Sequence, residues 1–129
     1  MSPILIDSDV LVWLTRGDEA AARRLRAIAT WRISTVTYIE LAQGCRDKIE
    51  LARLKKGLAV RSTEIIPLTP AISRRASLLI EQLALSHGLR LADALIGATA
   101  LEHQFTLLTG NTARFAPIAD LSIETFAPG

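Results

Sequence analysis

The chain has 129 residues, of which 50% are hydrophobic and 5% aromatic, with a formal net charge of +2. That length suits a single domain spanning residues 1–129 with an aliphatic, alanine-rich core, and the slight positive charge permits a nucleic-acid partner without demanding one. Cys45 is the only cysteine, which excludes an internal disulfide and suits a reducing compartment. Met1-Ser2-Pro3 lacks a basic n-region, and Asp7 and Asp9 interrupt the apolar stretch from Ile4 to Leu14, so neither a signal peptide nor a membrane span is expected and a cytoplasmic location is.

Ile4, Leu5 and Ile6 form a short apolar run suited to a strand buried on both faces, as in a parallel sheet. It stops at Asp7, and a helix over Val10 to Leu14 follows, with Gly17 as its stop. Asp18 opens a second helix running to Ala29, with Arg23, Arg24 and Arg26 on its wet face. Trp31 to Ser34 reads as a strand, Thr35 to Gly44 and Asp47 to Leu58 as helices, and the stretch Glu64 to Leu68 as a strand that ends at a proline. Thr69-Pro70 is a helix start, a capping hydroxyl followed by proline at the first helical position, and Gly88 ends that helix. His87 and His103 read as helix-end residues rather than ligands, being cations in a last turn. Leu91 to Gln104 is the next helix, Thr106 to Thr109 a strand, Asn111 to Phe115 a single helical turn, and Ser122 to Phe126 a last strand. Strands alternate with helices throughout, which predicts an α/β fold with a mainly parallel sheet.

Three acids stand out against this frame. Asp7 ends a strand, which puts it at the carboxyl edge of the sheet, where open α/β folds bind ligands; equally, Asp7, Ser8 or Asp9 could simply cap the helix. Glu40 lies in the helix after the second strand, near the same edge, although Thr37-x-x-Glu40 also matches a capping box. Asp93 shares a helix face with Ile96, Gly97 and Ala100, an apolar packing face on which a carboxylate is costly unless paired. Three carboxylates converging on one edge repel each other, and a hard divalent cation such as Mg²⁺ resolves that. It prefers oxygen ligands, shares its shell with substrate phosphate and activates water.

At these residues the chain resembles a PIN-domain ribonuclease, specifically a VapC-type toxin of a bacterial toxin–antitoxin pair. The matching parts are I-L-I-D-S-D-V-L-V-W-L from Ile4, S-T-V-T-Y-I-E-L from Ser34, L-A-D-A-L-I-G-A-T-A from Leu91 and L-L-T-G-N-T-A-R-F from Leu107. The resemblance implies a three-layer α/β/α PIN-like fold with a mainly parallel central sheet and endonucleolytic cleavage of RNA dependent on Mg²⁺ or Mn²⁺. It also implies a homodimer and inhibition by an antitoxin. Carried over residue by residue, Asp7, Glu40 and Asp93 become metal ligands, and Thr109 matches a hydroxyl before a fourth acidic position. That fourth position is Asn111 here, and Arg114 stands where many relatives have Asp before the Phe, so one ion is expected in the free enzyme, with Asn111 orienting a metal-bound water.

Asp9 reads either as a helper behind the ligands or as a helix cap. Arg16, Arg46, Lys48 and Arg114 are candidates for a basic rim that binds RNA, or else scattered solvated charges. The antitoxin is expected over the helix pair from Thr35 to Leu58, since Ile49, Leu51, Leu54 and Leu58 cannot all be buried by one short helix. Two other readings compete. Ile6-Asp7-Ser8-Asp9-Val10 and Leu107 to Asn111 resemble motifs of haloacid-dehalogenase-like phosphatases, but after Asn111 there is no lysine and only Asp120 and Glu124 as acids. The third reading is a non-catalytic PIN-like module that binds RNA or a partner.

Overall fold

The computed structural model describes residues 2–129. The strands are β1 (Ile4–Ile6), β2 (Arg32–Ser34), β3 (Glu64–Ile66), β4 (Thr106–Thr109) and β5 (Ile123–Thr125). The helices are α1 (Ser8–Thr15), α2 (Glu19–Arg26), α3 (Thr35–Gln43), α4 (Lys48–Val60), α5 (Pro70–His87), α6 (Leu91–His103) and the single turn α7 (Thr112–Phe115). Every strand pairing is parallel: β1 with β4, β4 with β5, and β2 with β3. β2 lies beside β1, so the spatial order across the layer is β3-β2-β1-β4-β5.

Successive strand residues point to opposite faces, and the core divides accordingly. Leu5 and Leu107 join one cluster with Ile72, Ala76 and Leu79 of α5 and Ala94, Ile96, Ala98 and Ala100 of α6. Ile6, Ile33 and Leu108 join the other with Val10 and Leu11 of α1 and Ala21 and Leu25 of α2. Helices therefore cover both faces, which gives the three-layer α/β/α arrangement that the alternation of elements predicts. Among the described residues no helix is long and apolar enough to cross a membrane.

Several boundaries follow from caps legible in the sequence. Asp18, Asp47 and Thr69 accept from the backbone N–H of Ala21, Glu50 and Ile72, and Gly88 closes α5 in the left-handed region at φ 70°. α2 ends at Arg26 rather than Ala29: the Ile28 N–H turns to Leu25 O at 3.1 Å in a tighter turn, and side chains satisfy the carbonyls at and beyond this end. The Trp31 indole donates to Leu25 O at 3.0 Å, and the Arg61 guanidinium, stacked 4.4 Å over the Trp31 ring, donates to Ile28 O. α4 continues to Val60, and β3 stops at Ile66, before the proline that has no N–H for a ladder.

α6 is the helix that the site depends on, and Gly97 sets how closely it packs. A Cβ at Gly97 would stand 2.7 Å from Cδ1 of Ile118. Gly97→Ala is expected to destabilise the protein by roughly 1 kcal/mol, overpacking outweighing helix propensity. In an Ile118→Val background, which removes that Cδ1, the same change should stabilise by roughly 0.5–1 kcal/mol. Urea unfolding of the four proteins measures this; equal shifts in both backgrounds would rule out the contact as the constraint.

Candidate active site

The parallel sheet decides which groups meet. β1, β2 and β4 end on one edge, at Asp7, Ser34 and Thr109. α6 leads into β4 through only Gln104 and Phe105, so it must run antiparallel to that strand, and its first turn, with Asp93, lies over the strand's carboxyl end. The chain also reverses its direction of growth across the sheet between β1 and β4. This is the topological switch point at which α/β sheets open a crevice.

Asp7 occupies that switch point, with 3% of its surface exposed. It accepts from the Ser8 N–H at 2.8 Å as the N-cap of α1, and from Thr109 Oγ1 at 2.8 Å across the crevice. The capping role and the site role of Asp7 thus coincide in one side chain. Thr109 Oγ1 accepts in turn from the Asn111 N–H at 3.0 Å, which fixes the turn after β4. Burial pushes the Asp7 carboxyl up to about 6, with the neighbouring charges of Asp9 and Glu40 adding to the rise and the Thr109 and Ser8 hydrogen bonds opposing it.

Asp9 is tied to the same turn. Its Oδ2 accepts from the Gly110 N–H at 2.9 Å, and a Cβ at Gly110 would come within 2.6 Å of that oxygen, so any other residue there would have to displace the Asp9 carboxylate. The other oxygen, Oδ1, is buried with no hydrogen-bond partner. Burial raises the Asp9 carboxyl as well, against the Gly110 hydrogen bond.

Glu40 enters from α3. The capping-box expectation for Thr37-x-x-Glu40 is not met: Ser34 is the N-cap, accepting from Val36 N–H at 3.0 Å, and Thr37 is buried with its hydroxyl unpaired. Glu40 instead turns toward α1, where Ser8 Oγ donates to its Oε1 at 3.4 Å. Desolvation raises its carboxyl, and the charge of Asp93 adds to this, while Ser8 and Arg114 oppose it.

Asp93 is 1% exposed and is doubly held. Its Oδ2 accepts from the Arg90 N–H at 3.2 Å at the start of α6, and its Oδ1 faces Arg114 Nη1 at 3.5 Å. The partner that a buried carboxylate on this face requires is therefore Arg114. The Asn111 amide, with its oxygen turned to Arg114, accepts from Nη2 and from Nε, the latter at 3.3 Å. Asn111 does reach the edge where the acids meet, but its side chain is engaged by Arg114.

Among the described residues none of the remaining basic candidates pairs with Asp7, Asp9, Glu40 or Asp93. Arg16 caps the carboxyl end of α1, about 13–14 Å along the helix from Asp7, and lies over the Trp13 ring. Arg46 is held by Glu50 at 2.8 Å, and Lys48 begins α4. Sequence reasoning does not single out Ser8, whose only signal is a hydroxyl between two acids at a helix start. Among the described residues no three Asp, Glu, His or Cys side chains are drawn tightly enough to hold a metal ion as they stand. The donor chemistry nevertheless fits a hard divalent cation: all oxygen, with raised carboxyls at Asp7, Asp9 and Glu40 and one buried Asp9 oxygen without a partner.

A raised carboxyl binds its proton more tightly in the folded state than in the unfolded one. The stability linked to protonated Asp7 is therefore complete below pH 3.8 and is lost as pH rises toward about 6. Without divalent ions, Asp7→Asn, which keeps an oxygen acceptor for the Ser8 N–H and turns its amide NH2 to Thr109 Oγ1, is expected to stabilise the protein at pH 7.5 by on the order of 2–3 kcal/mol. That advantage should shrink as the pH is lowered toward 4. Thermal unfolding across this range measures it, and an Asp7→Asn variant less stable than wild type at pH 7.5 would contradict the assignment.

Comparison with known proteins places this arrangement. The PIN domain profile matches residues 4–121. The toxin–antitoxin complex from Klebsiella pneumoniae contains a chain 30% identical, superposing with a TM-score of 0.79 over 95% of this chain and 96% of that one. FitAcB from Neisseria gonorrhoeae is 26% identical at a TM-score of 0.72, covering 93% and 95% of the two chains. VapBC2 from Rickettsia felis, solved bound to a DNA fragment from its promoter, is 20% identical at 0.81, covering 96% and 98%. A comparison with curated protein sequences finds no match. With a profile match across nearly its whole length and acids from β1, α3 and α6 gathered at the switch point of a parallel sheet, the chain belongs to the PIN-domain family.

Proposed function

We propose that the protein is a metal-dependent endoribonuclease, the toxin of a VapC-type toxin–antitoxin pair. The observation that carries this is the acid cluster at the β1/β4 switch point, where Asp7 is buried beside Asp9 and Glu40 and its carboxyl is pushed up to about 6 by burial and then by the Asp9 charge. The similar chains belong to toxin–antitoxin complexes, which supports the biological setting. The phosphatase reading loses its support to the PIN profile match.

Asp7, Glu40 and Asp93 would hold one Mg²⁺ or Mn²⁺. When bound, such an ion lowers the pKa of water and stabilises charge on a phosphoryl oxygen. The chain's own residues prepare the site for it. Thr109 and the Ser8 N–H orient Asp7, the Arg90 N–H orients Asp93, and Ser8 Oγ holds Glu40 toward α1. Asp9 secures the Gly110 turn, which keeps Asn111 and Arg114 beside the cleft. RNA would approach along the open side, with Arg114 in reach of its backbone and Arg16, Arg46 and Lys48 as outlying contacts.

The partner surface we propose is α3–α4, with a cognate antitoxin as its occupant. Leu58 is buried, but Ile39 and Ile49 are 54% and 64% exposed, so the helix pair leaves apolar surface uncovered. A second copy of the chain would form the homodimer that the family resemblance implies.

Asp93→Asn is expected to lower RNA cleavage in the presence of Mg²⁺ or Mn²⁺ by at least about 100-fold, with circular dichroism and unfolding behaviour retained. Full activity in that variant would sink the ligand assignment, and wild-type protein that binds metal and RNA but cuts no RNA would favour the non-catalytic module. Separately, co-expression with the product of the adjacent gene should yield a complex whose hydrogen-exchange footprint covers α3 and α4. Protection confined to the α5 face would refute that location.

A further inference from the structure

Arg114 is unusual among the arginines of this protein in what it faces. Arg75 pairs with Glu102 at 2.8 Å and Arg32 with Glu64 at 3.1 Å, both closed surface pairs. Arg114 instead points its Nη1 at the almost fully buried Asp93, at 3.5 Å, the long limit of a hydrogen bond. The remainder of its fork is held by a neutral group, the Asn111 amide. Its positive charge also bears on Glu40 and Asp9, favouring their ionised forms. One guanidinium thus serves acids from α1, α3 and α6 together. The Arg114 side chain is nevertheless 46% exposed while that of Asp93 is 2% exposed, so the guanidinium has a path to solvent and the carboxylate does not.

Resting on the proposed nuclease reading, we infer that Arg114 is the resident cation of the free cleft and exchanges Asp93 for a phosphate oxygen of the RNA when substrate binds. The loose Asp93 contact makes the exchange possible, because little hydrogen bonding is lost when Nη1 leaves. The planar fork suits a phosphate, to which it can donate two parallel hydrogen bonds. The Asn111 amide tethers the other side of the fork, so the guanidinium swings about the Gly110–Asn111 turn rather than leaving the cleft. The same charge opposes entry of a divalent ion while RNA is absent. Arg114 is on this account a positioning residue that links metal occupancy to the presence of substrate. Asn111 acts through it, as the neutral anchor that leaves the arginine's charge uncompensated for the acids.

Calorimetric titration with Mn²⁺ in the absence of RNA tests the first half, on wild type, Arg114→Ala, Arg114→Gln and Arg114→Lys. Removing the charge in the Ala and Gln variants should tighten Mn²⁺ on the order of tenfold at low salt, less at high salt, with the Lys variant close to wild type. Arg114 is half exposed, so these variants should fold, and unfolding curves verify it. Unchanged Mn²⁺ affinity in both neutral variants would overturn the inference and leave Arg114 a structural pair, as would no Mn²⁺ binding in any form. The second half is read by anisotropy of a labelled single-stranded RNA oligonucleotide in metal-free buffer. Arg114→Ala should weaken binding several-fold and reduce the slope of log affinity against log salt by about 0.7. An unchanged affinity and slope would overturn the exchange. Failure of the nuclease reading is distinguishable: no RNA would be cut, yet the Arg114 effect on Mn²⁺ would persist.

Discussion

The hydrogen bond from Thr109 to Asp7 closes the switch point of the sheet, and the rest of the site is arranged around it. The parallel ladder sets Ile6 opposite Leu108, so the residues that follow, Asp7 and Thr109, leave the sheet side by side. The same edge receives Glu40 from the helix after β2 and Asp93 from the helix before β4. Topology alone therefore gathers like charges in a place with little water. Burial and mutual repulsion disfavour ionisation of Asp7, and desolvation does the same at Asp9 and Glu40. The chain answers with donors: the N–H groups of Ser8, Arg90 and Gly110, the Ser8 and Thr109 hydroxyls, and the Arg114 guanidinium. What remains short is positive charge.

This shortage ties the fold to function. A core of this kind gains nothing from a buried carboxylate without a partner, which costs stability rather than supplying it. The acids are tolerated only because well-packed clusters on both sheet faces hold the edge rigid, with Leu5 and Leu107 on one side and Ile6 and Leu108 on the other, all fully buried. Gly97 lets α6 close onto Ile118, and Gly110 lets the β4 turn close onto Asp9. Both glycines act through the absent side chain at a point of contact.

Much of the frame is legible in the sequence, because it rests on local chemistry. The run Ile4 to Ile6 ending in Asp7, the Thr69-Pro70 start and the Gly88 stop depend on neighbours in the chain, and they stand where expected. Asp93 is legible as a problem, a carboxylate on an apolar face, but not in its solution. Its partner Arg114 lies 21 positions away and meets it only through the tertiary fold. For the same reason Arg114 reads from the sequence as one rim residue among several, and Asn111 as a group free to hold water. Glu40 has two local explanations, and the capping box falls because Ser34 begins the helix earlier than Thr37. The end of α2 is hidden from local reading because Trp31 and Arg61, the groups that satisfy its carbonyls, arrive from beyond the helix.

Diffraction from crystals of the protein equilibrated with Mn²⁺ tests most directly whether Asp7, Glu40 and Asp93 together hold a divalent ion. The anomalous difference map should show one peak bounded by carboxylate oxygens of those residues, with the Arg114 guanidinium withdrawn from Asp93. A peak coordinated elsewhere, or no peak at saturating Mn²⁺ with Arg114 still against Asp93, would contradict the account.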